Sequence, residues 1–451
     1  MAVYVLGTLT LLITVATLWL LFLLSYKKGH QYGLWFLGGF VYNCFTISFF
    51  YIFLPVPWIQ SLTLQYVGMT LFIVIGALVS GLSFLVIPFI LRKGHLFPKI
   101  LLPLLIFFAF MVHDMFRSIF ISIFLYGEGA SIGLHFILGS IGESLAFTPL
   151  IVFAYGGGVY LLTGLLALVI FITFSSHMRM LPYSVAIIYF LLLTVIFFSL
   201  QLRTLPSLSD MRIGILSTDW PNPNKENPLP EFIERVSAID TLLKKENSTL
   251  DLLILPESTG YLDARGLITE KDAFRVENYL DNTTIQSGEN YYSTSLFYDK
   301  ASDLTEIRRK SSLMVFSEYS PHILDILSSF SGGTMTTGHK TYKRSSDYHT
   351  FTLKNKTFGA LICSEGTSMM PLFSFEKKNP DFYVLQSNLV VMNKNPLGFM
   401  HLYAYTRLIA VTSGKTVLGV SNGAPSYGFD GKGRLLYSLK PSLFLAKPFL
   451  P

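Results

Sequence analysis

Six apolar stretches of roughly membrane-crossing length crowd into the first 203 positions, at 4–26, 33–54, 67–91, 98–124, 155–175 and 182–201. A helix rises 1.5 Å per residue and the hydrocarbon core is about 30 Å thick, so about 20 mostly apolar residues suffice to cross it. That pattern dictates a bundle of transmembrane helices. The first stretch, MAVYVLGTLTLLITVATLWLLFLLSYKK, has no basic leader, and its apolar run outlasts a signal-peptide core. It is expected to be a retained span. A seventh segment, IGLHFILGSIGESLAFTPLIVF (132–153), is apolar but interrupted by glycines and Glu143. A full span, a re-entrant piece and an interfacial helix all fit it.

Charge divides the chain in two. Residues 1–203 carry 8 Lys/Arg and 3 Asp/Glu, leaving 26 and 25 for residues 204–451. The overall charged fraction of 14% falls well below the roughly 25% of average soluble chains. The loops KKGH (27–30), RKGH (92–95) and SSHMRM (175–180) are basic, whereas PVPWIQSLTLQY (55–66) is uncharged and YGEGAS (126–131) holds one acid. Six crossings with the N-terminus outside satisfy the positive-inside rule and deliver the second half to the non-cytoplasmic face. The aromatic residues of 55–66 read as an interfacial belt. The net charge of +6 forms no basic block, so no nucleic-acid partner is expected. Cys44 and Cys363 fall in different environments, which makes both free thiols. Cys44 reads as a packing residue.

The membrane domain is thus placed at 1–203 and a polar domain at 211–451. Strands are expected at 211–218, 250–258, 291–299, 348–353, 357–364, 381–388 and 415–423. Helices are expected at 229–246, with Ile233, Val236, Ile239 and Leu243 at helical spacing, and at 400–413. A long loop region fills 310–347, and Asp430-Gly431 marks a hairpin turn. Alternating elements with strands in adjacent pairs predict an α/β sandwich with mixed sheets. No phosphate-cradling glycine motif and no metal-ligand spacing occurs, so neither cofactor nor metal is expected.

Three polar residues stand at or after apolar strands: Glu257 in LLILPES, Lys310 in EIRRKSSLMVFSEYSP and Cys363 in FGALICSE. Together they make an acyl-transfer site. A thiol of ordinary pKa about 8.5 needs a base to become the nucleophile. A carboxylate can take that proton and return it to the leaving group. An ammonium stabilises the thiolate and the oxyanion of the tetrahedral intermediate.

This trio resembles the Glu-Lys-Cys triad of the nitrilase superfamily, and with the membrane half it resembles bacterial apolipoprotein N-acyltransferase. The family's Y-x-K-x-x-L-V-P-F-G-E-Y-x-P segment is matched by RRKSSLMVFSEYSP (308–321), with Lys310, Leu313, Phe316, Glu318, Tyr319 and Pro321 in register. Ile362-Cys363-Ser364-Glu365 resembles I-C-Y-E, Ser387-Asn388 resembles the S-N after the next strand, and Ser421-Asn422-Gly423 stands where N-N-G is usual. GLWFLGGFVYNCFTISFFYIF (33–53) resembles a span of the family's membrane half. Val315, Ser317, Ser364, Ala410 and the stretch NLVV (388–391) depart from the pattern, and the sequence ends at LFLAKPFLP without the family's last span.

The resemblance implies a nitrilase-like α-β-β-α sandwich behind the membrane domain, in a monomer of the bacterial inner membrane. It implies transfer of an acyl chain from a phospholipid, through a Cys363 thioester, to the N-terminal amine of a diacylglyceryl-cysteine apolipoprotein. Glu257 would be base and acid, and Lys310 the oxyanion stabiliser. Glu318 would hold Lys310 or the amine, and Ser364, Glu365 and Asn388 would support the site. Two alternatives stay open: a membrane-tethered amidase with water as acceptor, and a non-catalytic lipid-binding scaffold. In the span at 98–124, Asp114 and Arg117 lie three apart and can pair. Either the pair is structural, or Arg117 meets a lipid headgroup phosphate.

Overall fold

The computed structural model describes residues 2–28, 32–48, 62–135, 137, 139–178, 181–221, 229–245, 249–262, 276–315, 317–319, 321–323, 326, 342–390 and 395–446. The membrane half contains α1 (Ala2–Lys28), α2 (Tyr32–Ile47), α3 (Leu62–Phe84), α4 (Val86–Lys93), α5 (Leu102–Phe124), α6 (Gly158–His177) and α7 (Tyr183–Leu202). Five helical stretches among the described residues are long and apolar enough to cross a membrane: Val3–Tyr26, Gln65–Lys93, Leu102–Phe124, Gly158–His177 and Tyr183–Leu202. The expected second span is helical as α2. Its end, the aromatic loop at 55–61 and parts of two basic loops lie outside the described residues. The span expected at 67–91 breaks at Leu85, three residues before Pro88. That proline has no N–H to give the carbonyl of Phe84 and crowds it.

Burial separates the centre of the bundle from its surface. The most apolar stretch of α6 is 83% buried, that of α7 only 11%. Ile187, Leu191, Val195 and Phe198 of α7 are all exposed. A soluble monomer rarely leaves so continuous an apolar face uncovered; in a bilayer it meets lipid. Inside, Phe22, Trp35, Phe84, Phe110 and Phe174 form an aromatic cluster, with Phe22 and Trp35 edge to face at 5.2 Å.

The seventh apolar segment does not become a long helix. It folds into two 3-10 turns, Ile141–Phe147 and Pro149–Ala154, enclosed by protein. A Cβ on Gly142 would sit 2.2 Å from the Val159 carbonyl oxygen, so only glycine permits this contact with α6. The reading of this segment as a full helical span is not what forms. Glu143 accepts from the Gly139 N–H at 3.0 Å and pairs with His401 Nδ1 at 2.5 Å.

Arg117 pairs with Asp114, the first of its two readings, and the contact with a headgroup phosphate is not observed. Arg117 is 1% exposed, and its Nε donates to Asp114 Oδ1 at 2.9 Å. Asp114 Oδ2 accepts from Ser140 and, at 2.5 Å, from Thr163. The charges are sealed within the bundle as a structural pair, away from any headgroup at the surface.

The second half is a four-layer sandwich. One sheet runs in the order β12 (Phe444–Ala446), β1 (Ile213–Ser217), β2 (Leu252–Ile254), β3 (Asn278–Ser287), β4 (Asn290–Asp299), β5 (Leu304–Arg309). The other runs β11 (Leu435–Leu439), β10 (Ser426–Phe429), β9 (Thr416–Asn422), β8 (Phe382–Asn388), β7 (Lys356–Ile362), β6 (Phe351–Leu353). The central strands are parallel and the edges antiparallel. Period-2 alternation builds the layers. Ile213, Ile215, Leu252 and Ile254 meet Phe358, Ala360, Phe382, Val384, Leu418 and Val420 between the sheets. Leu216, Leu253 and Leu255 face outward against α8 (Leu229–Lys244).

On α8, Val236, Ile239 and Leu243 are buried as expected, each burial contributing about 1.5–3 kcal/mol. Ile233 is 42% exposed instead, and Phe232 packs over Gly260 in the first turn. The helices α9 (Met369–Glu376) and α10 (Pro396–Ser413) cover the second sheet. Their outer faces join α1, α5 and α6 in one continuous core, so this layer is also where the sandwich docks on the bundle. The expected four layers are observed. The sequence reading missed β3, β5, α9 and β12.

Candidate active site

Strand β7 ends at Ile362, and Cys363 follows with φ +45, in the left-handed region that costs a non-glycine residue about 1–2 kcal/mol. The chain then tightens into the 3-10 turn Cys363–Thr367. The turn takes Cys363 out of the ladder, whose last pair on this strand is Ile362 with Gln386. Strain of this kind persists only where the surroundings fix it, and it gathers at functional sites.

Glu257 lies just past β2, after Pro256. Its loop is fixed by Ser258 N–H on Asn282 Oδ1 at 3.1 Å and Gly260 N–H on the Asn282 carbonyl at 3.2 Å. Lys310 follows β5, and its own N–H and carbonyl are held by Ser293 and Ser345. Its Nζ donates to Glu318 Oε1 at 2.9 Å and reaches Glu257 Oε1 at 3.4 Å. The other Glu318 oxygen accepts from the Met314 N–H at 2.6 Å. The Cys363 thiol lies close enough to Glu257 and Lys310 to feel both charges. The three residues expected to carry the chemistry, with Glu318, therefore converge from four separate segments.

Electrostatics set the resting state. Burial pushes the Glu257 carboxyl above its ordinary value; Lys310 pulls it down and Glu318 pushes it up. Burial opposes charge on Lys310, but Glu318 and Glu257 outweigh it and hold the ammonium firmly protonated. Burial, then the Glu257 charge, drive the Cys363 thiol up. At rest the cysteine is held as the thiol and the lysine as the ammonium, with the Glu257 carboxyl beside both.

Glu365 has a different part. Its carboxylate receives the guanidinium fork of Arg308, with Nη2–Oε1 at 2.5 Å, together with Ser311 N–H and hydroxyl at 2.6 and 2.5 Å and Ile362 N–H at 2.8 Å. It ties the lysine strand to the cysteine turn. Ser364 donates to the Ser312 carbonyl at 2.7 Å, a second tie between the same segments. The Asn388 side-chain oxygen accepts from Val390 N–H at 3.2 Å and from Asn422 Nδ2 at 3.3 Å.

Sequence reasoning missed Arg308 and Gln386. Arg308 is fully buried two residues before Lys310, on the same face of a strand, and that spacing could have found it. Gln386 bridges the sheets, donating to the Leu255 carbonyl at 2.8 Å and accepting from Ser295 at 2.6 Å; nothing in the sequence singled it out.

A small cleft, partly open to solvent, lies beside the site between the two halves of the molecule. Leu313, Val315 and Tyr319 line it together with the hydroxyl-bearing Ser122, Ser131 and Ser364. Among the described residues, no group of three or more His, Cys, Asp or Glu could hold a metal ion.

No protein-family profile matches this chain, and no curated protein does. Solved structures similar to it include a CN-hydrolase superfamily protein from Xanthomonas campestris, at 14% identity and TM-score 0.36, covering 52% of this chain and 88% of that one. A nitrilase-superfamily member from Saccharomyces cerevisiae matches at 14% and 0.39, over 52% and 88%. A carbon-nitrogen hydrolase from Helicobacter pylori matches at 11% and 0.40, over 52% and 87%.

Proposed function

We propose that the chain is an integral-membrane N-acyltransferase that moves an acyl chain from a phospholipid to the N-terminal amine of a diacylglyceryl-cysteine apolipoprotein. In the first half-reaction the Cys363 proton passes to Glu257 and sulfur bonds the ester carbonyl carbon. Lys310 faces the charge that develops on the carbonyl oxygen. The C–O bond then breaks, and the leaving glycerol oxygen takes the proton from Glu257. In the second, the neutral amine attacks the thioester, Glu257 takes its proton, and the C–S bond breaks with the proton returned to sulfur. Backbone N–H groups near Ser364 complete the oxyanion site, and Glu318 keeps Lys310 in place. The reaction belongs at the non-cytoplasmic face of the bacterial inner membrane, with the chain acting as a monomer.

The observation that carries this reading is Lys310 spanning Glu257 and Glu318 with the Cys363 thiol within reach of their charges, beside a cleft walled in part by the membrane half. Acyl donor and acceptor both reside in the bilayer, which suits a nucleophile at that junction. The test supplies full-length protein in vesicles with labelled phospholipid and a diacylglyceryl-cysteine peptide bearing a free amine. The expected product is the N-acylated peptide. Label released only as free fatty acid, at a rate indifferent to the peptide, would make the chain a hydrolase with water as acceptor.

A further inference from the structure

We infer that His135, in the segment leaving the membrane helix α5, is a positioning residue for acyl transfer that acts through Ser368 on the turn carrying Cys363. The inference rests on Cys363 being the nucleophile.

The segment that carries Tyr126, Gly127, Leu134, His135 and Ile137 touches both sides of the site. Near its start, the Tyr126 carbonyl accepts from His322 N–H at 2.9 Å, and Gly127 bridges Pro321, just beyond Glu318. Near its end it brackets Ser368: Ile137 N–H donates to the Thr367 carbonyl and Met369 N–H to the Leu134 carbonyl, both at 3.2 Å. Between these backbone bonds, His135 Nδ1 lies 2.9 Å from Ser368 Oγ and its Nε2 2.8 Å from Ser131 Oγ. Gly133 N–H on Ser122 Oγ, at 3.0 Å, pins the segment to α5.

Ser368 occupies a pivotal position. It is 1% exposed, its N–H donates to the Glu365 carbonyl at 3.2 Å, and its hydroxyl oxygen accepts from Met370 N–H at 3.3 Å to open α9. The five-residue turn Cys363–Thr367 is thus held at its start by the Glu365 carboxylate on Ile362 N–H and at its end by Ser368. The first anchor belongs to the sandwich; His135 brings the second from the membrane half. Burial, then the charge of Arg344, lower the His135 pKa to about 4, so at neutral pH one ring nitrogen donates while the other accepts. A backbone with Cys363 at φ +45 needs such bracing to keep sulfur aligned.

The experiment compares full-length His135→Ala, His135→Gln and Ser368→Ala with the parent in phosphatidylethanolamine vesicles. It reads kcat, KM, the pH profile and thermal unfolding. Misalignment of reacting atoms by about 1 Å costs about 100-fold, so His135→Ala and Ser368→Ala are expected to lose about 10- to 100-fold in kcat. KM, unfolding temperature and the acid limb of the profile stay in place. His135→Gln, whose amide can both donate and accept, recovers most of the rate. Unchanged kcat in His135→Ala, or a loss that only follows the unfolded fraction, overturns the inference. So does a displaced acid limb, which would make His135 an acid–base group. Cys363→Ser separates the claims: its inactivity beside an indifferent His135→Ala leaves the nucleophile standing, and its full activity takes both down.

Discussion

Arg308 and Lys310 stand two residues apart at the end of one strand, both buried and both matched by carboxylates, yet the two charge clusters are built for opposite ends. Glu365 receives five hydrogen bonds from Arg308, Ser311 and Ile362. Burial alone would raise its pKa, but Arg308 and these donors outweigh that and hold it below the ordinary value. Glu257 has fewer donors and a like charge in Glu318, so burial prevails and its pKa rises. One carboxylate is saturated and fixed; the other keeps an open valence for a proton. Within a few ångströms of backbone, full satisfaction fixes one carboxylate as a strut and incomplete satisfaction leaves the other able to take a proton.

Breaking each cluster should give contrasting losses. Glu257→Gln removes the base and is expected to lower thioester formation about 100- to 10,000-fold, measured by single-turnover assay, with the unfolding temperature nearly unchanged. Arg308→Met leaves Glu365 buried without its counter-charge and should cost about 3–5 kcal/mol in denaturant unfolding, because stranding a buried charge is expensive. Adding Glu365→Gln to that variant should restore part of the loss. Equal catalytic and stability effects in Glu257→Gln and Arg308→Met would erase the distinction.

pH sharpens it further. Activity requires ionised Glu257, so the acid limb of thioester formation should lie above the ordinary glutamate value of 4.5. Glu318→Gln removes a charge that raises the Glu257 pKa, so the limb should move to lower pH; an upward move would contradict the assignment. Stability titrates with opposite signs at the two carboxylates. The folded-state pKa of Glu365 is depressed, so its contribution is complete above the unfolded value and is lost as pH falls through the depressed one. That of Glu257 is raised, so its contribution is present below the unfolded value and is lost as pH rises through the raised one. Unfolding of Glu365→Gln and Glu257→Gln across that range should show the two slopes, the smallest of these effects.

Patterns that depend on the chain's own neighbours were legible. Apolar length gave the membrane helices, and alternation placed β1, β7, β8 and β9 within a residue or two. The register of Lys310 with Glu318 and the strand-end positions of Glu257 and Cys363 picked out residues that the fold brings together. Elements whose stability comes from distant partners were not. β3, rich in Asn and Thr, is held by pairing along its whole length with β4, and its sequence shows no apolar alternation. Arg117 could have faced a lipid until α6 and Ser140 were seen to enclose its Asp114 partner. His135 bonds Ser368, 233 residues away, so no local pattern could have paired them.

The most direct measurement is the intact mass of purified full-length protein after incubation with a single defined phospholipid. A mass increase of one acyl chain, mapped to Cys363, released by hydroxylamine and missing from Glu257→Gln, is the expected result. Unmodified protein whose Cys363 still reacts with an alkylating probe, or an acyl group mapped to another residue, would contradict the thioester on which the account stands.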